Sequence, residues 1–590
     1  MPKPKIDFGF TPSKYQEAIF DFVQHGTGNA VIRAMAGSGK STTMATAMKL
    51  IPKKQKCLFI AFNKSIVEDL SEKLKDYPNC TVKTIHGLGY SIIQRNLEET
   101  PVLDEYKYRN FLKENVCELS QLDCENTSRT VLEDYVDTIT NLINFSRYNL
   151  CQTPKEVKEI ADKYGFPYYN DECEVTVKCL EWGKKNLSTI DYTDMVWLPY
   201  ELSMSPKGNQ YDWVMFDEAQ DASKAYVDLF LRTFKRGTRF IAAGDEKQAI
   251  NLFAGSSSDA FEYLTCYPNT KVFTLQICYR CDRVIIELIQ TLEPDIEARE
   301  NAEGGTIFYD CHISKIKDGD MVLCRSKAPL AKLYAKLIKN GVNCHIKGSD
   351  IGTNLIELIN STGTKKINPE ILEDGLFIRL YERMINERNN MMEKHGLDIW
   401  DATLSSPVLS LYDMIETIRI FSEDCSTVDE IILKIENTFK DESNGICLST
   451  IHKAKGLEAD NVYILCKSTM PPKRISKDWE ILQENNLIYV AFTRAKHVLG
   501  FVSEDEVKPS GSLDNDETIV NDIAFIEKKV CRVLGIPLTE DKQSPSFAKF
   551  RLKAATKIED KHSDDNVKYV DAITETEKTD ASLDELLASL

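Results

Sequence analysis

Two small constellations of polar residues suggest chemistry before any fold is considered. Lys40 and Ser41 follow a run of small residues, Ala34, Ala36, Gly37, Ser38 and Gly39, and precede a helical pattern from Thr42 to Leu50. An apolar, β-branched run (Ala30, Val31, Ile32) comes before them. Strand, small-residue loop, Lys-Ser and helix make a P-loop, whose backbone N–H groups cradle phosphates at a helix N-terminus. The expected cradle is Ala36, Gly37, Ser38, Gly39, Lys40, Ser41 and Thr42, with Lys40 reaching the outer phosphates and the Ser41 hydroxyl holding Mg²⁺. Ala34 stands where the strict pattern has Gly. The second constellation, Asp217-Glu218, ends the apolar run 212–216. P-loop NTPases use such a pair, one carboxylate on Mg²⁺ and the next positioning the attacking water. Gln16 carries an amide that both donates and accepts, which suits adenine, although a solvated helix residue is the plainer reading.

The elements that must position these groups read as alternating strands and helices. Residues 57–62, 80–85, 212–216 and 239–245 are short apolar runs, each a predicted buried strand. Helical patterns separate them, so the expectation is a parallel α/β sheet with ligands at the carboxyl ends of its strands. Phe62, Asn63, Lys64, Thr84 and His86 fall at such ends. Residues 91–190 become helical, as does the stretch 349–443, and both read as insertions. Between and after them, residues 272–275, 321–324, 446–450 and 462–466 are further strands, and 487–502 reads as helix followed by strand.

Composition sets outer limits. The chain has 590 residues, 42% hydrophobic and 28% charged, as expected of a globular protein of several domains. No apolar run is long enough for a membrane span, and MPKPKIDFGF lacks the apolar region of a signal peptide. The 17 cysteines are scattered without framework spacing, which suits a reducing cytosol. Cys278 and Cys281 make one Cys-x-x-Cys with no second pair at zinc-ligand spacing. A net charge of −18 does not advertise a nucleic-acid binder, but binding needs only a local basic groove. The chain from 507 to 590 reads as an acidic tail, disordered from about residue 556. Leu583, Leu586, Leu587 and Leu590 take helical spacing at its end, which fits either a partner-docking helix or an unused tail.

Taken in order, AGSGKST, AFNKSI, TIHGLGY, FDEAQD, AGDEKQAINLFAG, LQICYR, STIHKAKGLE and YVAFTRAK resemble the motif series of superfamily 1 DNA helicases of the UvrD/Rep/PcrA type. The resemblance runs from Gln16 to Lys496. AFNKSI is also similar to the F-box DNA helicase branch, although no F-box motif is evident. The resemblance implies two RecA-like motor domains around one ATP. Residues 1–90 and 191–259 would form the first, 260–348 and 444–506 the second, with helical insertions at 91–190 and, shortened, 349–443. It further implies adenine contacts by Gln16 and Tyr279, a ribose contact by Glu458, and a γ-phosphate sensor in Gln248. Asp217 becomes the metal carboxylate, Glu218 the catalytic base, and Arg280 and Arg494 the arginines inserted by the second motor domain. Phe62, Asn63, Thr84, His86, Phe253, Thr450 and His452 become the single-strand contacts. Departures are Asn251 and Ala254, where the family usually has Tyr and Arg, and Asn485 and Asn486, which replace arginines.

The expected function is therefore an ATP- and Mg²⁺-dependent helicase moving 3′→5′ on single-stranded DNA and acting at single/double-strand junctions. A bacterial or phage-infected host cytoplasm is the expected location, with no membrane association. Two alternatives remain open at this point: a translocase that strips proteins with little unwinding, and a P-loop ATPase switch without a nucleic-acid track.

Overall fold

Alternation of apolar strands with amphipathic helices builds the expected parallel sheet, and then a second one. The computed structural model describes residues 9–61, 63–124, 129–164, 168, 171–250, 258–370, 372–373, 375–439, 444–472, 478–535 and 538. Phe62, Asn251, Phe253, Ala254 and the terminal leucines from Leu583 onward lie outside them. The chain divides into two compact units. One is drawn from residues 1–281, 295–302 and 477–489, the other from 282–294, 303–476 and 490–590.

The first unit begins with α1 (Lys14–His25), β1 (Asn29–Ala34), α2 (Lys40–Lys49), β2 (Cys57–Ala61), α3 (Lys64–Lys73), β3 (Cys80–Thr84) and α4 (Ile85–Asn96). An inserted stretch follows: β4 (Val102–Leu103), α5 (Lys107–Leu119), α6 (Arg129–Asn149), α7 (Pro154–Tyr164), α8 (Glu172–Lys185), β5 (Thr189–Ile190) and α9 (Tyr192–Glu201). The sheet resumes with β6 (Tyr211–Phe216), α10 (Lys224–Arg232), β7 (Phe234–Gly244), α11 (Ser258–Thr265) and β8 (Thr270–Leu275). Its order is β3-β2-β6-β7-β1-β8, and every pairing is parallel.

Successive residues of these strands enter different cores. Val31, Leu58, Val214 and Phe240 join one cluster, and Ala30, Ile32, Phe59, Trp213 and Ile241 join the other. A parallel sheet covered on both faces requires this near-continuous apolar character. The insertion is helical apart from the short β4–β5 pairing. A buried ionic group fastens it: Lys107 Nζ lies 2.7 Å from Asp194, and Arg147 bonds Asp194 at 2.8 Å and Asp191 at 2.7 Å. Cys117 and Cys124 are joined by a disulfide with Cα atoms 5.8 Å apart, which the scattered cysteine spacing did not announce.

The expected boundary at residue 260 is corrected. β8 hydrogen-bonds to β1 along its whole length, from Asn29↔Thr270 to Ala34↔Leu275, so the first unit runs on to Cys281. It also takes in β9 (Ile277–Cys278) and, beyond α12 (Arg283–Ile289), β10 (Glu297–Ala298), which pair with each other.

The second unit holds β11 (Thr306–Cys311), β12 (Met321–Cys324), α13 (Ala328–Lys339), β13 (Cys344–Ile346) and the helices α14 (Ser349–Ser361), α15 (Leu376–His395), α16 (Ile399–Thr403), α17 (Ser406–Ser422) and α18 (Val428–Thr438). Then come β14 (Ile446–Thr450), β15 (Ala459–Ile464), β16 (Ala495–Val502) and α20 (Asp516–Leu534); the helix between β15 and β16, α19 (Asp478–Phe492), belongs to the first unit as far as Tyr489. The second sheet, in the order β11-β16-β15-β12-β14-β13, is also parallel. The reading of everything past residue 507 as a tail is corrected by α20. That helix buries Ile519, Val520, Ile523, Ile526 and Val530 and packs on α15, where Arg388 and Glu527 form a buried bidentate pair at 2.6 and 2.9 Å. Among the described residues, no helix is long and apolar enough to cross a membrane.

Candidate functional site

The small residues between β1 and α2 are small for measurable reasons. Gly37 and Gly39 take φ of +67° and +75°, the left-handed region that Cβ-bearing residues avoid. A Cβ on Gly37 would also come within 2.8 Å of Arg280 Cβ and 2.9 Å of Cys278 Sγ. The loop wraps the N-terminus of α2, whose first-turn N–H groups have no intrahelical acceptor. The buried Ser38 hydroxyl has no hydrogen-bond partner among the described residues. A Gly-lined loop with such a hydroxyl and open helix N–H groups fits a chain of phosphates.

β6 delivers the acidic pair to this loop. Lys40 Nζ stands 2.7 Å from Glu218 and 3.4 Å from Asp217. The Ser41 hydroxyl donates to Asp217 Oδ2 at 2.7 Å, and the Glu218 N–H donates to Asp217 Oδ1 at 2.9 Å. Burial pushes the Asp217 carboxyl up from its ordinary value, while Lys40 and Ser41 oppose that shift. Burial weakens the Lys40 ammonium, but Glu218 and Asp217 outweigh it and hold the charge on. Ser41 and Asp217 together offer adjacent hard oxygens, which is a donor set suited to Mg²⁺. Glu218 itself sits at φ +55°, a left-handed conformation that costs a non-glycine residue of order 1–3 kcal/mol.

The next strand adds a third carboxylate. Asp245 follows β7, and its Oδ2 accepts Gln248 Nε2 at 2.6 Å. Burial raises the Asp245 carboxyl to about 6, with Gln248 and Lys40 opposing the shift. Gln220 accepts the Asp245 N–H at 3.1 Å and donates to Glu218 at 2.5 Å.

Gln16 and Tyr279 flank the same loop: a Cβ on Gly39 would lie 3.9 Å from Gln16 Nε2 and from Tyr279 Cδ2. The Gln16 amide is already engaged, accepting the Ser13 N–H at 3.0 Å as part of the α1 capping box and donating to Thr43 Oγ1 at 2.9 Å. Tyr279 donates its N–H to Gly37 O at 2.9 Å, and its ring is 43% exposed. Arg280 lies beside Gly37 within the first unit, not in the second as the resemblance implied. Thr42 is exposed on the first turn of α2.

The first sheet's strand ends carry the other expected contacts. Asn63 caps α3 through Ile66 N–H, and Thr84 caps α4 through Gly87 N–H. Ala61 pairs with Thr84, so these residues share one edge. His86 is packed edge-on against Tyr226 and Tyr192, with centroids at 5.7 and 6.3 Å, and burial lowers its pKa. Tyr192, which the sequence did not single out, is 48% exposed. Phe62 and Phe253 lie outside the described residues.

In the second unit, Cys324 pairs with Thr450 and Ile346 with Leu448, so Arg325, Lys347 and His452 follow strands that end together. His452 is held neutral, its pKa lowered to about 3 by burial and by Arg325 and Lys453. Thr450 Oγ1 accepts the Lys453 N–H at 3.4 Å. Glu458 pairs with Lys496 at 3.3 Å. Arg494 is buried beyond the end of α19, bonding Val490 O at 2.9 Å and Leu457 O at 3.0 Å.

Residues 15–266 match the family described as UvrD/REP helicase N-terminal domain, and residues 376–505 match the UvrD-like helicase C-terminal domain. The chain is 25% identical over 572 residues to F-box DNA helicase protein 1 of Schizosaccharomyces pombe, covering 87% of this chain and 58% of that one. It is 24% identical over 502 residues to F-box DNA helicase 1 of Gallus gallus, covering 79% and 46%. It is 19% identical over 611 residues to a probable DNA helicase II homolog of Mycoplasma genitalium, covering 83% and 85%. The chain thus spans about half the length of the two F-box relatives.

Proposed function

This chain belongs to the UvrD/Rep/PcrA-type superfamily 1 helicases, and from that premise we propose that it is an ATP-driven motor that moves 3′→5′ on single-stranded DNA and unwinds duplex. The observation that carries the reading is the grouping of Lys40, Ser41, Asp217 and Glu218 on the P-loop. Lys40 would leave the acidic pair to hold the outer phosphates of ATP. Ser41 and Asp217 would hold Mg²⁺, which supplies charge neutralisation on the phosphates when bound. Glu218 takes the proton of the attacking water, and Gln248, fixed by Asp245, senses the terminal phosphate. Tyr279 covers the adenine, with Gln16 beside it and Glu458 on the ribose. Arg280 and Arg494 stabilise charge in the transition state. Phosphoryl transfer asks for this positioning and charge more than for covalent help.

We assign nucleic-acid contacts to the carboxyl edge of each sheet, taken unit by unit. Asn63, Thr84, His86 and Tyr192 supply polar groups and a ring at one edge, and Thr450, His452, Arg325 and Lys453 supply cations and polar groups at the other. Rings that stack on bases bind any sequence, and cations neutralise phosphates. The preferred substrate is a single-strand tail at a duplex junction. Strand displacement on duplexes with a 3′ or a 5′ single-strand tail tests the reading. Displacement of the 3′-tailed duplex alone is expected; equal or reversed preference contradicts the polarity.

A further inference from the structure

One buried side chain outside the groups assigned above joins two parts of the site. Tyr489, in α19, is 1% exposed. Its Oη accepts the Ala36 N–H at 2.9 Å and donates to Asp245 Oδ2 at 3.2 Å. Ala36 belongs to the phosphate loop, and Asp245 holds Gln248 through the same Oδ2. The Asp245 N–H continues through Gln220 to Glu218. A hydrogen-bonded chain therefore runs from the phosphate loop, through the Tyr489 hydroxyl, to both Gln248 and Glu218.

We propose that Tyr489 is a positioning residue for ATP hydrolysis, its hydroxyl fixing the loop backbone and the Asp245 carboxylate so that Gln248 and Glu218 address the same phosphate. This rests on the reading of the site as an ATPase. A phenol suits the place because it donates and accepts at once, whereas a phenylalanine would fill the same space and do neither. Burial drives the Tyr489 phenol far above its ordinary value, so the group stays protonated and remains a donor. Its acceptor does titrate, at about 6. Lys40 from α2, Glu218 after β6 and Tyr489 from α19 face that carboxylate, together with the Gln248 amide and the Lys247 backbone N–H, which donates at 3.1 Å. Gln248 needs the charged form, because a carboxylate accepts where a protonated acid competes as a donor. Turnover should therefore fall as pH drops through about 6. A donor to the carboxylate favours its charged form, so removing the Tyr489 hydroxyl moves that limb to higher pH.

The test is Tyr489→Phe in the full chain, assayed for MgATP turnover with a single-stranded oligodeoxynucleotide across pH. Turnover should fall about tenfold or more, the KM for ATP should change less than about threefold, and the acid limb should rise by about half a unit. In an Asp245→Asn background the limb should disappear and Tyr489→Phe should add little, since the two act through one bond. A Tyr489→Phe enzyme with wild-type turnover and an unmoved limb overturns the inference, as does a lowered melting temperature with an unmoved limb. If Tyr489→Phe does not fold, Asp245→Asn alone decides, and a retained acid limb overturns the inference. Absence of ATPase in the wild type would instead overturn the ATPase reading itself.

Discussion

Gly37→Ala and Gly39→Ala should differ, although both glycines lie in one loop at nearly the same φ, +67° and +75°. Each substitution incurs the left-handed cost of an L-residue, about 1–2 kcal/mol. At Gly39 little is added, because the nearest atoms, on Gln16 and Tyr279, stand 3.9 Å from the new methyl. At Gly37 the methyl would lie 2.8 Å from Arg280 Cβ and 2.9 Å from Cys278 Sγ. The thiol can rotate away, but a Cβ moves only with its backbone, and that backbone is tied to the loop by the Tyr279 N–H on Gly37 O. Overpacking of this kind adds about 1–3 kcal/mol. At roughly 1–2 °C per kcal/mol for a unit of this size, Gly37→Ala should melt at least about 1 °C below Gly39→Ala. It should also lose more ATP turnover, since the displaced segment carries Tyr279 and Arg280. Thermal denaturation by circular dichroism and steady-state ATPase on both variants test this. Equal melting temperatures, or a less stable Gly39→Ala, would refute the argument that the 278–281 segment packs against Gly37.

Three further outcomes follow from the geometry. Glu218→Gln should keep nucleotide binding, measured with a fluorescent ATP analogue, while hydrolysis collapses, because an amide cannot take the water's proton; a loss of affinity equal to that of Asp217→Ala would show the roles to be wrongly divided. Tyr192→Ala should weaken single-strand binding roughly 5- to 150-fold in fluorescence anisotropy, equivalent to about 1–3 kcal/mol for one stacked base, and leave the melting temperature unchanged, since the ring is 48% exposed; unchanged affinity would remove it from the track. Glu527→Ala removes the carboxylate partner of the buried Arg388 guanidinium, whose side chain is 1% exposed, and should cost about 3–5 kcal/mol in urea unfolding; a cost below about 1 kcal/mol would mean that α20 is not anchored by this pair.

The strands of the first sheet were legible because their apolar runs are continuous, and the P-loop because its residues are contiguous. Sheet membership was not. The run VFTL looks the same whichever sheet takes it, and only its register with Asn29–Ala34 assigns β8 to the first unit. The helix α20 was hidden by counting charge: Ile519, Val520, Ile523, Ile526 and Val530 already had helical spacing within an acidic stretch. Two-residue strands such as Val102–Leu103 and Ile277–Cys278 have no period to detect. Gln16 illustrates an ambiguity that a sequence cannot resolve, because the amide suited to adenine is equally suited to the N3 position of a capping box. Tyr489 opens the YVAFTRAK motif, but nothing in its type or spacing pointed to the phosphate loop. Inside LIYVAF it reads as core, and its partners Ala36 and Asp245 lie 453 and 244 residues away.

The central claim is that ATP hydrolysis at Lys40, Asp217 and Glu218 is driven by a single-stranded DNA track. The most direct measurement is the MgATP turnover of the full chain with no nucleic acid, with single-stranded DNA and with single-stranded RNA, beside Lys40→Ala in each condition. The account predicts low basal turnover, stimulation of about tenfold or more by single-stranded DNA, and a loss of at least about tenfold in Lys40→Ala, whose phosphate loop would lack its cation. Turnover that is indifferent to DNA, or that persists in Lys40→Ala, would contradict it.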